Sequence, residues 1–201
     1  MEALRTALVE GSPHEAPALT LFRRVFEPLH SELAAIRELV VATDGTGGLA
    51  PLELVAETGG LDARVRRVTS GRDLLTPATP GALVTLEAST PAEIASREVG
   101  AVAVIAPPER ATLRGTAHLE AALRRALAVA GARCQLLPRW PIPPPATRLF
   151  LDALGSAFAT GIPIGVAVDE ARTRLRESPD FGHAGVWASF GLSGDPTVQL
   201  A

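Results

Sequence analysis

The chain has 201 residues, 47% hydrophobic and 20% charged, with a single cysteine and a formal net charge of −3. That length suits one domain of ordinary size, and the apolar content excludes disorder throughout. A lone Cys134 excludes a disulfide scaffold and a zinc ribbon, and arginines scattered among carboxylates exclude a basic stripe for phosphate backbones, so nucleic acid is not an expected partner.

No apolar run approaches the ~18 to 20 residues of a membrane span. The stretch Met1 to Ala18 carries Glu2, Glu10 and Glu15 where a secretion signal would be basic and then apolar. A cytoplasmic protein with no membrane partner is expected by default. All 19 basic residues are arginine, and Lys, Asn and Tyr are absent; this reflects GC-rich coding and carries no functional weight.

In chain order, residues 1–17 read as a loose N-terminal tail and residues 18–201 as one domain. Leu19, Leu21, Phe22, Val25, Phe26, Leu29 and Leu33 recur at helical spacing from about Ala18 to Ala35, with Pro28 expected to bend or divide the helix. The run Glu38 to Ala42 reads as a strand covered on both faces, stopped by Thr43-Asp44-Gly45. Arg64 to Val68 alternates, as a strand nearer an edge does.

Two further buried strands, Ala82 to Leu86 and Ala101 to Ile105, flank a helix from Pro91 to Glu98, which is a βαβ pattern. A helix over Thr116 to Val129 ends at Gly131, a residue suited to a left-handed cap, and leads into a strand from Arg133 to Leu137. Arg139 to Pro145 holds four prolines in five positions from Pro141 and reads as a stiff connecting loop. Helices over Ala146 to Thr160 and Pro163 to Arg176 follow, and then a last strand from Trp187 to Leu192. Strands alternating with helices call for an α/β fold with a mostly parallel sheet covered on both faces.

These residues carry a family resemblance. Leu39-Val40-Val41-Ala42-Thr43-Asp44-Gly45 followed by Leu49-Ala50-Pro51-Leu52-Glu53-Leu54 is similar to the opening of CHAT domains, the bacterial relatives of caspases and separase. Val65 to Leu75 resembles the next family segment. Ala130-Gly131-Ala132-Arg133, Trp140-Pro141, Trp187-Ala188-Ser189-Phe190 and Gly194-Asp195-Pro196 follow in family order and spacing. The resemblance runs from about Leu21 to Pro196 and implies a three-layer caspase-like fold.

Active members of that family use a His and a Cys at the ends of neighbouring strands. Laid onto this chain, the nucleophile position falls on Pro107 or, one register along, on Pro108; Glu109 then stands at the family's Thr or Glu. Proline offers neither a thiolate nor an activated hydroxyl, and no N–H for a developing oxyanion. The family His position falls near Ser89, where the strand is either substituted or deleted, and no His occurs between His30 and His118.

Other candidates have plainer readings. Cys134 lies inside an apolar strand, where a small thiol is filler. His118 falls in the first turn of its helix, His14 in the tail, His30 on an amphipathic helix and His183 in a loop. No two are at metal-ligand spacing, so neither a metal nor a cofactor is expected. Thr43 to Gly48 lacks the Lys-Ser/Thr of a phosphate-binding loop and reads as a turn. Trp187 reads as core; Trp140, in the proline loop at a strand's C-terminal end, stands where ligands meet open α/β sheets.

The chain is therefore read as a catalytically inactive, caspase-like pseudoprotease. It would act as a protein-binding regulatory or adaptor module in a bacterial defence or signalling system, with an active protease or effector among the possible partners. Arg139, Trp140, Pro141 and Asp44 are its candidate binding residues. The alternatives are a hydrolase with a rebuilt site at Ser89, Cys134 or His118, and a small-ligand sensor using the Asp44 to Gly48 turn and the Trp140 loop.

Overall fold

The computed structural model of the chain describes residues 1–33, 35–42, 51–68, 83–86, 91–96, 102–105 and 122–199. It opens with helix α1 (Glu2–Glu10), which buries Leu4, Ala7 and Leu8. The expected loose tail is thus corrected over residues 2–10. Three apolar residues at i, i+3 and i+4 make one stripe, and that stripe lies on the core instead of in water. Helix α2 (Glu15–Val25) follows, then a 3-10 turn (Glu27–Leu29) and the short α3 (His30–Leu33). Pro28 sits in the first turn of the 3-10 segment and divides the apolar stretch, as its missing N–H requires.

Strand β1 (Glu38–Ala42) pairs in parallel with β2 (Arg64–Val68), Val40 opposite Arg66, and α4 (Leu52–Thr58) lies between them in sequence. Strand β3 (Leu83–Leu86), helix α5 (Pro91–Ala95) and β4 (Val102–Ile105) form the βαβ unit, with β3 parallel to β4. Helix α6 (residues 122–129) ends at Gly131, whose φ of 91° is left-handed, and leads to β5 (Cys134–Pro138), parallel to β4. Helix α7 (Pro144–Phe158) packs on α8 (Ile164–Arg176); a short helix α9 (Ala184–Trp187) precedes β6 (Phe190–Gly194). Strand β6 is antiparallel to β5, with Leu192 opposite Leu136.

Side-chain parity along the strands sets the layers. Val102, Val104, Cys134 and Leu136 point into one core with residues of α1, α2, α4, α7, α8 and α9, whereas Ala103 and Leu137 point to the other face, against α5 and α6. Helices therefore cover both faces of the β4–β5 region, the layering that the alternation of elements predicts. On the first face Phe150 of α7 and Phe190 of β6 stack with centroids 3.7 Å apart. Each is fully buried, a burial worth ~1.5 to 3 kcal/mol apiece.

Three local expectations are corrected. Strand β1 is covered on one face only: Leu39 and Val41 pack on the core, while Val40 stays 38% exposed. A short unbroken apolar run does not by itself distinguish a covered face from an open one. Trp187 belongs to α9, not to a strand, because His183 caps that helix by accepting from the Gly185 N–H, and the strand begins only at Phe190. Pro144 and Pro145 belong to α7, not to the loop, because the first helical turn needs no N–H donors.

Candidate functional site

Pro107, Pro108, Glu109, His118, Ser89 and Asp44 lie outside the described residues. Cys134 lies inside them, completely buried in a strand whose five residues are all buried. It is walled by Val102 of β4 and Gly194 of β6.

Arg139 and Trp140 follow β5 directly, where the sequence points to recognition, but the structure buries both to 1% exposure. Their polar groups turn inward. The Trp140 Nε1–H donates to the Gly185 carbonyl at 2.7 Å, and the Ser189 hydroxyl donates to the Trp140 carbonyl at 2.9 Å. The Arg139 Nη1 donates to the Ala188 carbonyl at 2.6 Å, and its Nη2 donates to both Glu53 oxygens, at 3.0 and 2.9 Å. Neither side chain offers a face to a partner; they tie the end of β5 to the segment 185–191. Pro141 is half-buried beside them. Gly191 lacks a side chain for a reason visible here: a Cβ would sit 3.0 Å from the Arg139 Nε, within the space the guanidinium fills.

Glu53 is the hinge of a larger arrangement. Glu53 and Glu57 stand four residues apart on α4, and Arg172 and Arg176 stand four apart on α8, so each pair shares a helix face. The two faces meet as a ladder with an inner and an outer rung. On the inner rung Arg172 approaches Glu53 at 3.7 Å, also meets Asp169 at 3.5 Å, and donates to the Phe190 carbonyl at 2.6 Å. Burial pushes the Arg172 guanidinium below its ordinary value, and the adjacent Glu53 carboxylate opposes that shift. On the outer rung Arg176 donates to Glu57 at 2.7 Å and lies 3.8 Å from the centre of the Trp187 ring, with side chains 40% and 54% exposed.

The ladder borders two cavities. One, of about 520 Å³, lies between α4, the start of β2 and α8, and its walls include Glu53, Asp62, Asp169 and Arg172. The second, of about 620 Å³, includes His14, Glu15 and His183. Glu57, Arg176 and Trp187 line both. Sequence separation hid the meeting of His14 and His183, whose rings make an edge contact at 5.8 Å. Next to them the Glu15 carboxyl is held below the usual carboxylate range, first by a backbone hydrogen bond and then by His14. Among the described residues no group of three or more His, Cys, Asp or Glu is placed to hold a metal ion, and no helix is long and apolar enough to cross a membrane.

The ladder was the missed signal. Two i, i+4 pairs of opposite charge on separate helices are readable in the sequence, but nothing local says that the helices face each other.

The segment from shortly after β4 through α6, β5, α7, α8 and α9 to β6 is the part that comparison with known proteins identifies. Residues 109–195 match the CHAT domain family. The matched CHAT segment begins at the residue after Pro108, and it contains Arg139, Trp140 and the whole arginine side of the ladder. The chain is also 35% identical over 91 residues to tetratricopeptide repeat protein 28 of Mus musculus, and 34% identical over 91 residues to the protein of that name from Homo sapiens. Each alignment covers 45% of this chain and 4% of the relative, so the chain spans a small fraction of the length of those proteins. No solved structure matches the chain.

Proposed function

We propose that this chain is a catalytically inactive CHAT-type module that works by binding protein, as a regulatory or adaptor component of a bacterial defence or signalling system in the cytoplasm. The observation that carries the reading is the Pro107-Pro108 pair, two residues beyond β4, in the position where the family resemblance places the nucleophile. Proline brings no nucleophilic atom, and it removes an amide that could stabilise an oxyanion, a loss of roughly 100- to 1000-fold in rate on its own. The complete burial of Cys134 supports the same reading, because a thiol enclosed in a strand is shielded from substrate.

A binding role is also in keeping with the relatives named for tetratricopeptide repeats. Such repeats stack into extended surfaces that hold other proteins.

Incubation with a thiol-reactive peptide warhead and with a panel of Arg- and Lys-containing peptides tests the proposal. The expected outcome is no covalent adduct on the folded protein and no cleavage. Turnover that disappears on substitution of Ser89, Cys134 or His118 would establish a rebuilt hydrolase instead.

A further inference from the structure

The two cavities beside the ladder form one groove, because Glu57, Arg176 and Trp187 line both. At its middle the Trp187 ring carries a guanidinium that belongs to the protein itself, Arg176, 3.8 Å from the ring centre and paired with Glu57. Two features set this cation apart from the inner rung. Its side chain is 40% exposed, against 12% for Arg172 and 1% for Arg139. Its hydrogen bond is to a carboxylate that is itself 54% exposed, so the bridge opens at little cost.

The charge around it is unbalanced toward acid. Glu53 is already shared by Arg139 and Arg172, and Glu57 by Arg176. Asp62, at the β2 end of the groove, is exposed and makes no ion pair among the described residues, and Glu15 adds a carboxylate at the other end. An aromatic ring that holds a guanidinium, with the Asp62 and Glu15 carboxylates at the two ends of the groove, suits a second guanidinium or ammonium arriving from outside. None of the described lining residues comes from β4.

We propose that this groove docks a basic peptide segment of a partner protein, one of whose Arg or Lys side chains takes the place of Arg176 on the Trp187 ring. The proposal rests on the protein-binding reading above and gives that reading a site and a partner chemistry. Arg176 then acts as a gate: its removal opens the ring and removes a competing cation.

The experiment is fluorescence anisotropy with three labelled peptides of otherwise identical Ala/Leu sequence carrying Arg, Lys or Glu at two central positions, titrated with the full chain at low and high salt. The Arg and Lys peptides are expected to bind, the Glu peptide to bind at least tenfold more weakly, and salt to weaken the basic peptides. Arg176→Gln is expected to tighten the Arg peptide about two- to fivefold, the range for an exposed cation–ring contact. Asp62→Asn is expected to weaken it by up to about fivefold. Circular dichroism confirms that both variants keep the fold.

Equal binding of all three peptides, no binding of the basic ones, or affinities unchanged by both substitutions would overturn the groove. Free arginine amide binding as tightly as the peptide would also overturn it, since a chain segment would then add nothing. Mass spectrometry of the recovered peptides separates this from the broader reading: cleaved peptide refutes the inactive module, whereas intact but unbound peptide refutes only the groove.

Discussion

At the scale of single residues, Glu53 carries more than its half-buried position suggests. It faces two guanidiniums, and Arg139 behind it is 1% exposed, with its Nε lacking an acceptor among the described residues. Replacing Glu53 with Gln leaves that buried cation without its counter-charge. Breaking a buried pair from one side costs ~3 to 5 kcal/mol, and because Glu53 is 18% exposed we expect the lower end, about 3 kcal/mol. Urea unfolding of E53Q reads this as a lowered midpoint with an unchanged slope. The outer rung gives the contrast: E57Q should cost less than about 1 kcal/mol, because its partners are solvated. Equal losses would show that the inner rung carries no special weight. Sequence reasoning found Arg139 but not its role. Its partner is 86 residues away, and a cationic residue after a strand reads as outward-facing until that partner is known.

At the scale of elements, α1 is the part that local reasoning missed and packing explains. It docks on α9 through the closest approach at any described glycine: a Cβ on Gly185 would lie 1.9 Å from the Leu8 carbonyl oxygen. Gly185→Ala therefore cannot be accommodated without lifting α1 away. Hydrogen exchange should show loss of protection across residues 4–10 with α7 and α8 still protected; retained protection in α1 would contradict the docking. The next element adds a pH effect. The Glu15 carboxyl in the first turn of α2 is depressed in the folded state, so its contribution is present above the ordinary carboxylate value and is lost as pH falls through the folded one. E15Q should lower stability slightly at neutral pH, where that contribution is present, and flatten the acid limb of a stability-against-pH curve, so that its curve meets the native one at low pH. The remaining elements were mostly legible. The βαβ unit, the α6 stop at Gly131 and the division at Pro28 follow from periodicity and from glycine and proline chemistry. The orientation of β6 was not, since pairing direction is fixed by how α7 and α8 return the chain and not by the strand's own residues.

At the scale of the molecule, the question is whether the β1–β2 pair and the four-stranded sheet stand or fall together. They form separate ladders among the described residues, yet Leu39, Val41 and Val65 pack on the same core as Val102, Cys134 and Phe190. Helix α4 adds Leu52, Leu54, Val55 and Ala56 to that core and sends Glu53 across to Arg139 and Arg172. A shared core crossed by a buried ion pair makes separate unfolding expensive, because either half alone would expose apolar surface and strand a charge. The two tryptophans, Trp140 and Trp187, both lie in the C-terminal half, so their fluorescence reports that half, while far-UV circular dichroism also reads α1, α2 and α4. The urea curves from the two probes should coincide for the native chain. In E53Q they should move together to lower urea. If the N-terminal elements formed an independent unit, the fluorescence curve would stay near its native midpoint while the dichroism split into two steps, and the shared core would then be contributing too little to couple the halves.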